Sequence, residues 1–245
     1  MIAGAPPVVA RIRRLLADGV SFSGEPLTDE ERTSYESDIR LVEQYLARVP
    51  KTRYLLPTIG LRDRLTLRRG QRRIEILRLG RGHTSGDLVV FLPDERVLIA
   101  GDLVIWPVPL VGSEQSHVGD WSASLEKARE LEAAIVVPGH GPVLRDQAYL
   151  KLMADSFASI RAQAEAAVAQ GQSLEDFRKS VDLAAARKRF AEDSRVRKFL
   201  FETYVAGPAV VSAFRDASGT VKSPTPPPSE ERRSAPASRK KTCNR

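Results

Sequence analysis

The sequence predicts a mixed α/β protein of the α+β kind, with a β-rich centre over residues 65–145 held between helical flanks. Three observations predict it. Apolar residues recur at helical spacing before residue 50. Short apolar runs broken by Gly- and Pro-containing turns fill the centre, and alanine-rich, breaker-poor stretches follow residue 146.

Residues 5–18 read as a helix, with Val8, Val9, Ile12, Leu15 and Leu16 at helical spacing and Gly19 as the stop. A second helix is expected over 29–48, where Thr28 is the N-cap and Glu31 its capping-box partner. Its apolar face is expected at Ile39, Leu41, Val42, Tyr45 and Leu46. Leu65-Thr66-Leu67 and Ile74–Leu79 flank a turn at Arg69-Gly70 and read as a hairpin. Strands follow at 87–92 and 97–100, joined through Pro93-Asp94-Glu95-Arg96. A helix from about 122 to 131 leads to a short apolar strand, 134–137, ended by Pro138-Gly139. Residues 147–170 are helical up to Gly171, and Ser173 with Asp176 opens the next helix. A last helix over 195–214 is bent at Gly207-Pro208. Beyond Arg215 the chain turns to Pro, Ser, Lys and Arg; it has too little apolar surface to offset its ordering entropy and reads as a disordered tail. The expected divisions are 1–64, 65–145, 146–215 and 216–245.

Composition narrows the function classes. A hydrophobic fraction of 42% and a charged fraction of 28% are those of an ordinary globular chain. No run approaches the roughly 18 apolar residues of a membrane span, and no basic n-region precedes an apolar core at the N-terminus. The compartment stays open: cytoplasmic as the chain stands, periplasmic if a leader precedes it. Of the net charge of +7, the tail from Asp216 carries seven Lys/Arg against three Asp/Glu. A second basic cluster, Arg62, Arg64, Arg68, Arg69, Arg72 and Arg73, surrounds Gly70. Neither is interleaved with aromatics, which make up 6% of the chain, so a solvated surface is expected rather than a nucleic-acid interface. The single cysteine, Cys243, excludes an internal disulfide and a thiolate metal site.

The chemistry gathers at three residues. His83 lies in Gly82-His83-Thr84-Ser85-Gly86-Asp87 between two strands; Asp102 lies in Ala100-Gly101-Asp102 where an apolar strand ends; His140 lies in Pro138-Gly139-His140-Gly141, again at a strand end. Glycines beside each let backbone and ligand approach closely. Strands of one sheet can bring such ends together, and two imidazoles with a carboxylate suit Zn, Fe or Mn. Asp87 is expected to start its strand or hydrogen-bond a ligand histidine. His117 is expected either to line a substrate pocket or to serve as a loop residue. Thr84 and Ser85 read as loop hydrogen-bonders, and Trp106 and Trp121 as core or rim residues.

The runs GHTSGDLVVFLPDERVLIAGDLV and VVPGHGPV resemble the C-terminal half of the metallo-β-lactamase superfamily domain, most closely its hydroxyacylglutathione hydrolase-like branch. The resemblance implies part of an αββα sandwich, with residues 146–215 as a helical extension. It implies that His83 belongs to a first metal position, that Asp102 bridges two metals and that His140 belongs to the second, with zinc as the usual metal. It implies hydrolysis of an ester, thioester or related bond in a small-molecule substrate. The family's remaining ligands come from an H-x-H-x-D-H loop before the segment matching His83, whereas no histidine precedes His83 here. The expectation is therefore a chain lacking the first sheet and that loop, through a truncated start or through loss, with an incomplete metal site. Asp102, where some antibiotic-hydrolysing members carry cysteine, points toward the thioester and general hydrolase branches. The alternative is a non-catalytic binding or assembly protein that keeps part of the fold, with a homo-oligomer replacing the missing sheet.

Overall fold

The computed structural model describes residues 5–219 except 54, 56 and 113. Helix α1 spans Ala5–Asp18 and α2 spans Asp29–Arg48, followed by a short 3-10 turn at Val49–Lys51. Both halves of the capping box form: the Glu31 amide donates to the Thr28 hydroxyl at 3.2 Å, and the Thr28 amide donates to the Glu31 carboxylate at 3.0 Å. The apolar face expected on α2 does not become a core face, for Leu41 and Tyr45 remain 57% and 45% exposed. The buried α2 residues are Glu31 and Tyr35. The cause is tertiary. Helix α2 meets the C-terminal helices through its first half, where Arg195 reaches Glu31 at 3.2 Å, so burial follows that contact rather than the helix's own stripe.

Five strands form one sheet in sequence order: β1 Arg64–Arg69, β2 Arg72–Leu77, β3 Val89–Leu92, β4 Val97–Ile105 and β5 Ile135–His140. The first four pair antiparallel and β5 joins β4 in parallel. Helix α3, Val118–Glu130, makes the crossover between the parallel pair. It begins four residues earlier than expected, with His117 as its N-cap. Two strand ends also differ from expectation. Strand β4 continues beyond Ala100 because Leu103, Val104 and Ile105 are themselves buried, so Asp102 lies inside the strand. Strand β5 continues through Pro138 and Gly139 to His140, whose carbonyl accepts from the Trp106 amide at 3.1 Å. Pro138 is tolerated because β5 is an edge strand, where a missing donor leaves no neighbour unpaired.

Register assigns the two faces of the sheet. Phe91, Leu98 and Val136 pair across β3, β4 and β5, and Leu77 pairs with Val89. All five are buried in one cluster with Trp121 and Leu125 of α3, Met153 and Phe157 of α4 (Ala148–Ala169), and Val210 and Ala213 of α8 (Gly207–Ala217). The opposite face carries a second apolar row in unbroken register, Leu65, Ile76, Val90, Ile99 and Val137, one residue from each strand. None of that row is buried, and Ile99 is 42% exposed.

Between α4 and α8 lie α5 (Leu174–Ser180), α6 (Ala184–Ala191) and α7 (Arg195–Phe201). The Ser173 hydroxyl accepts from the Asp176 amide, as its spacing predicts. The bend expected at Gly207-Pro208 is a π-helical turn, Glu202–Ala206, directly before them. Helix α8 runs on to Ala217 rather than ending before the tail, because the Asp216 carboxylate accepts from the Gly119 amide in the first turn of α3 at 3.0 Å. The rest of the tail, with Cys243, lies outside the described residues.

Candidate metal centre

The segment carrying His83 has no regular structure of its own and is clamped from α3 and the residues before it. Three successive carbonyls are held. That of Arg81 accepts from the Ser124 hydroxyl at 2.7 Å, that of Gly82 from the His117 amide at 2.8 Å, and that of His83 from the Ser116 hydroxyl at 2.8 Å. Gly82 permits this close seating, because a Cβ there would stand 2.8 Å from Leu103 and 3.0 Å from Trp121. The fully buried Trp121 packs against the His83 imidazole with ring centroids 5.9 Å apart and 68° between the planes, and donates from its indole nitrogen to the Leu103 carbonyl.

The clamp fixes which His83 nitrogen is available. Nδ1 lies 2.9 Å from the Leu110 carbonyl, which can only accept, so in the neutral imidazole Nδ1 carries the proton and Nε2 presents its lone pair. Nε2 faces Oδ2 of Asp102 at 3.8 Å. Asp102 follows Gly101, whose φ of +52° suits glycine, within a register irregularity between β4 and β5. Its other oxygen, Oδ1, lies 3.5 Å from Nε2 of His140 at the end of β5. The His140 side chain is 64% exposed and that of His83 19%, so the site is open on the β5 side.

The sequence-predicted trio is thus brought together, with Asp102 between two imidazoles and a separate oxygen toward each. Both separations are too long for hydrogen bonds. They are close to the about 3.4 Å between two ligands of a tetrahedral ion with bonds of about 2.1 Å. The donor set therefore fits zinc in chemistry and in spacing, with one nitrogen and one oxygen at each of two positions. It does not complete either position: among the described residues no group of three or more His, Cys, Asp or Glu closes around one ion.

Asp87 does not touch an imidazole. Its carboxylate accepts from the Thr84 amide at 3.0 Å and the Thr84 hydroxyl at 2.6 Å, so it braces the His83 loop, and the Thr84 hydroxyl is engaged in that loop. His117 is 7% exposed, and its ring faces Asp216 at 3.7 Å in a polar cluster between α3 and α8. Burial depresses its pKa below the ordinary imidazole value and the Arg81 charge adds to this, outweighing the pull of Asp216. Sequence reading missed Ser116, Ser124 and Leu110, which hold the loop. Two are common serines and the third acts through its carbonyl, so no residue pattern signals them.

Comparison with known proteins gives the family. A 97-residue stretch is 34% identical to a metallo-beta-lactamase type 2 of Bacillus cereus, covering 38% of this chain and 38% of that one. A 157-residue stretch is 28% identical to the linear primary-alkylsulfatase of a Pseudomonas species, covering 60% of this chain and 29% of the relative. The solved metallo-beta-lactamase of Pontibacter korlensis is 20% identical over 60% of this chain and 76% of its own, with a TM-score of 0.38. The chain thus spans under two fifths of the length of these curated relatives. The family model described as the metallo-beta-lactamase superfamily matches residues 17–140, about half of the chain, and its matched stretch closes on His140. The chain belongs to the metallo-β-lactamase superfamily.

Proposed function

We propose that this chain is a metal-dependent hydrolase, with zinc the metal its donors suit best and His83, Asp102 and His140 its contribution to the metal centre. The observation that carries the reading is the placement of two imidazole Nε2 atoms against opposite oxygens of one carboxylate. A bound zinc ion would supply Lewis acidity and lower the pKa of a water molecule on it. The chain's own residues do the holding. The Leu110 carbonyl keeps the His83 lone pair turned toward Asp102, Asp102 offers an acceptor to each side, and the exposed His140 leaves room for a small-molecule substrate. Two donor atoms at each position, four from three residues, fall short of the three protein ligands usual for each catalytic zinc, which supports weak metal affinity and low turnover. A donor set with Asp102 in place of a thiolate favours an ester or thioester substrate of the hydroxyacylglutathione hydrolase-like kind.

The test is metal content by mass spectrometry after purification in zinc, with hydrolysis of an aryl ester and an acyl thioester measured alongside. Zinc retained by the chain, lost in Asp102→Ala together with the hydrolysis, is the expected outcome. Hydrolysis indifferent to Asp102→Ala and to chelator would overturn the reading.

One observation favours a second reading, a binding or assembly protein that keeps the fold without turnover. The outer apolar row through Ile99 offers a surface for association with another copy of the chain. A chain that sediments as an oligomer and holds no zinc would favour it.

A further inference from the structure

A cavity of about 540 Å3 opens between the α1–α2 hairpin and α7, away from the metal-site residues. Its size falls within the roughly 300–1,000 Å3 of small-molecule pockets. Four aromatic side chains contribute to its lining, one from each of four segments: Phe22 from the α1–α2 loop, Tyr35 from α2, Phe199 from α7 and Tyr204 from the π-helical turn. Three of them form one cluster. Phe22 and Phe199 stack at 5.5 Å with 4° between their planes, and Tyr35 meets Phe22 edge-on at 5.3 Å. The Arg11 guanidinium lies 4.9 Å from the Phe22 ring centroid, so the cluster already engages one cation through its π-face.

The charges of the wall are unequal. Glu25, Glu31, Asp38 and Glu202 face Arg195 and Lys198, in a chain whose overall charge is +7. Arg195 is committed to Glu25 at 3.1 Å and Glu31 at 3.2 Å, and Glu202 is held by Arg187 from α6. Lys198 is exposed, and its long stem can keep the ammonium in water. Asp38 has no hydrogen bond or ion pair among the described residues. Asp38 is exposed, yet desolvation on its protein side pushes its carboxyl above the ordinary range, and a cation arriving beside it would favour the charged form.

We propose that this cavity is a binding site for an organic ammonium ion with an aromatic or short apolar body, the rings receiving the body and Asp38 the charge. An aromatic wall beside a lone carboxylate is the arrangement that favours such ions over neutral or anionic molecules of the same shape. The site uses none of the metal-site residues and stands independently of the hydrolase reading.

The test is calorimetric titration of phenethylammonium into the full chain after treatment with chelator, so that the metal centre plays no part. Saturable one-to-one binding with a Kd below about 1 mM is expected. Asp38→Asn should weaken it about tenfold, and Phe199→Ala, a change at a half-exposed ring, several-fold. Uncharged 2-phenylethanol should bind the unaltered chain at least about tenfold more weakly. Equal affinity for 2-phenylethanol, stronger binding of 3-phenylpropionate through Lys198, or no saturation by about 10 mM would each overturn the proposal without recourse to any variant. Unchanged affinity in an Asp38→Asn chain with a native near-ultraviolet spectrum would do the same.

Discussion

A Cβ on Gly139 would stand 2.1 Å from Oδ1 of Asp102 and 2.8–2.9 Å from the backbone of Gly101 and Asp102. The edge strand and the carboxylate of the candidate centre are thus in contact through an atom that Gly139 lacks. Gly139→Ala must move Asp102 or part β5 from β4. The expected outcome is zinc affinity reduced by about tenfold or more, with a loss of about 1–3 kcal/mol in stability. Gly86→Ala, where an added Cβ meets nothing within 4 Å, should leave zinc affinity unchanged. Calorimetric zinc titration of the two variants checks the contrast.

Asp102 is shared by both sides of the centre, whereas each histidine serves one side. Asp102→Ala is therefore expected to abolish zinc binding, and His140→Ala or His83→Ala to weaken it by about tenfold to a hundredfold. Asp102→Asn keeps the shape but loses the charge and should fall between them. Zinc affinity unchanged in all four variants would show that the zinc lies elsewhere.

The serine clamp separates stability from site geometry. The buried Ser116 hydroxyl donates to the His83 carbonyl at 2.8 Å and accepts from the Gly112 amide at 2.8 Å. Ser116→Ala leaves both groups without that partner and should cost about 1–3 kcal/mol in chemical unfolding. Ser212, one layer further away, donates to the Ser116 carbonyl and accepts from the Val118 amide. Ser212→Ala should cost a similar amount yet disturb zinc affinity less than Ser116→Ala, as parallel unfolding and zinc titrations would read.

His117 gives the protein a pH dependence with a defined sign. Its folded pKa is depressed, first by burial and then by Arg81 and Arg215, against the opposing charges of Asp216 and Asp120. The unfolded chain therefore binds the His117 proton at higher pH than the folded chain does. Stability is fully present above the ordinary imidazole pKa of about 6.5 and falls below it, by at most about 1.4 kcal/mol per pH unit from this group, until the folded pKa is passed. On acidification from about pH 7.5 to about pH 5.5, roughly one unit either side of that pKa, the unaltered chain should lose stability relative to His117→Gln, as unfolding curves of the two would read.

How much of this was legible follows from particular residues. The capping box at Thr28 and Glu31 was readable because its partners are three residues apart and need no tertiary help. The trio was readable because glycines and strand ends announce it locally. The continuation of β4 past Asp102 was not, because the Gly101-Asp102 pair reads as a turn until β5 lies alongside and hydrogen-bonds beyond it. The burial of Tyr35 in place of Leu41 depends on α7, more than 150 residues away in sequence. The tertiary partner overrode helix periodicity there, as it does wherever a helix is covered along only part of its length.

Leu98 and Ile99 are neighbours on β4 with opposite fates, 0% and 42% exposed. Leu98 belongs to the cluster shared with the helices, whereas Ile99 stands in the outer row between Val90 and Val137. If the outer face meets water, Leu98→Ala should cost about 2–5 kcal/mol and Ile99→Ala about 0.5 kcal/mol. If another copy of the chain covers that face in solution, Ile99→Ala should cost nearly as much as Leu98→Ala, and the cost should grow as the protein is concentrated, since association then contributes to stability. Denaturant unfolding at two protein concentrations distinguishes the cases. A concentration-independent, small cost at Ile99 would remove the support for association through the sheet, because an interface built on that row must bury Ile99 between Val90 and Val137.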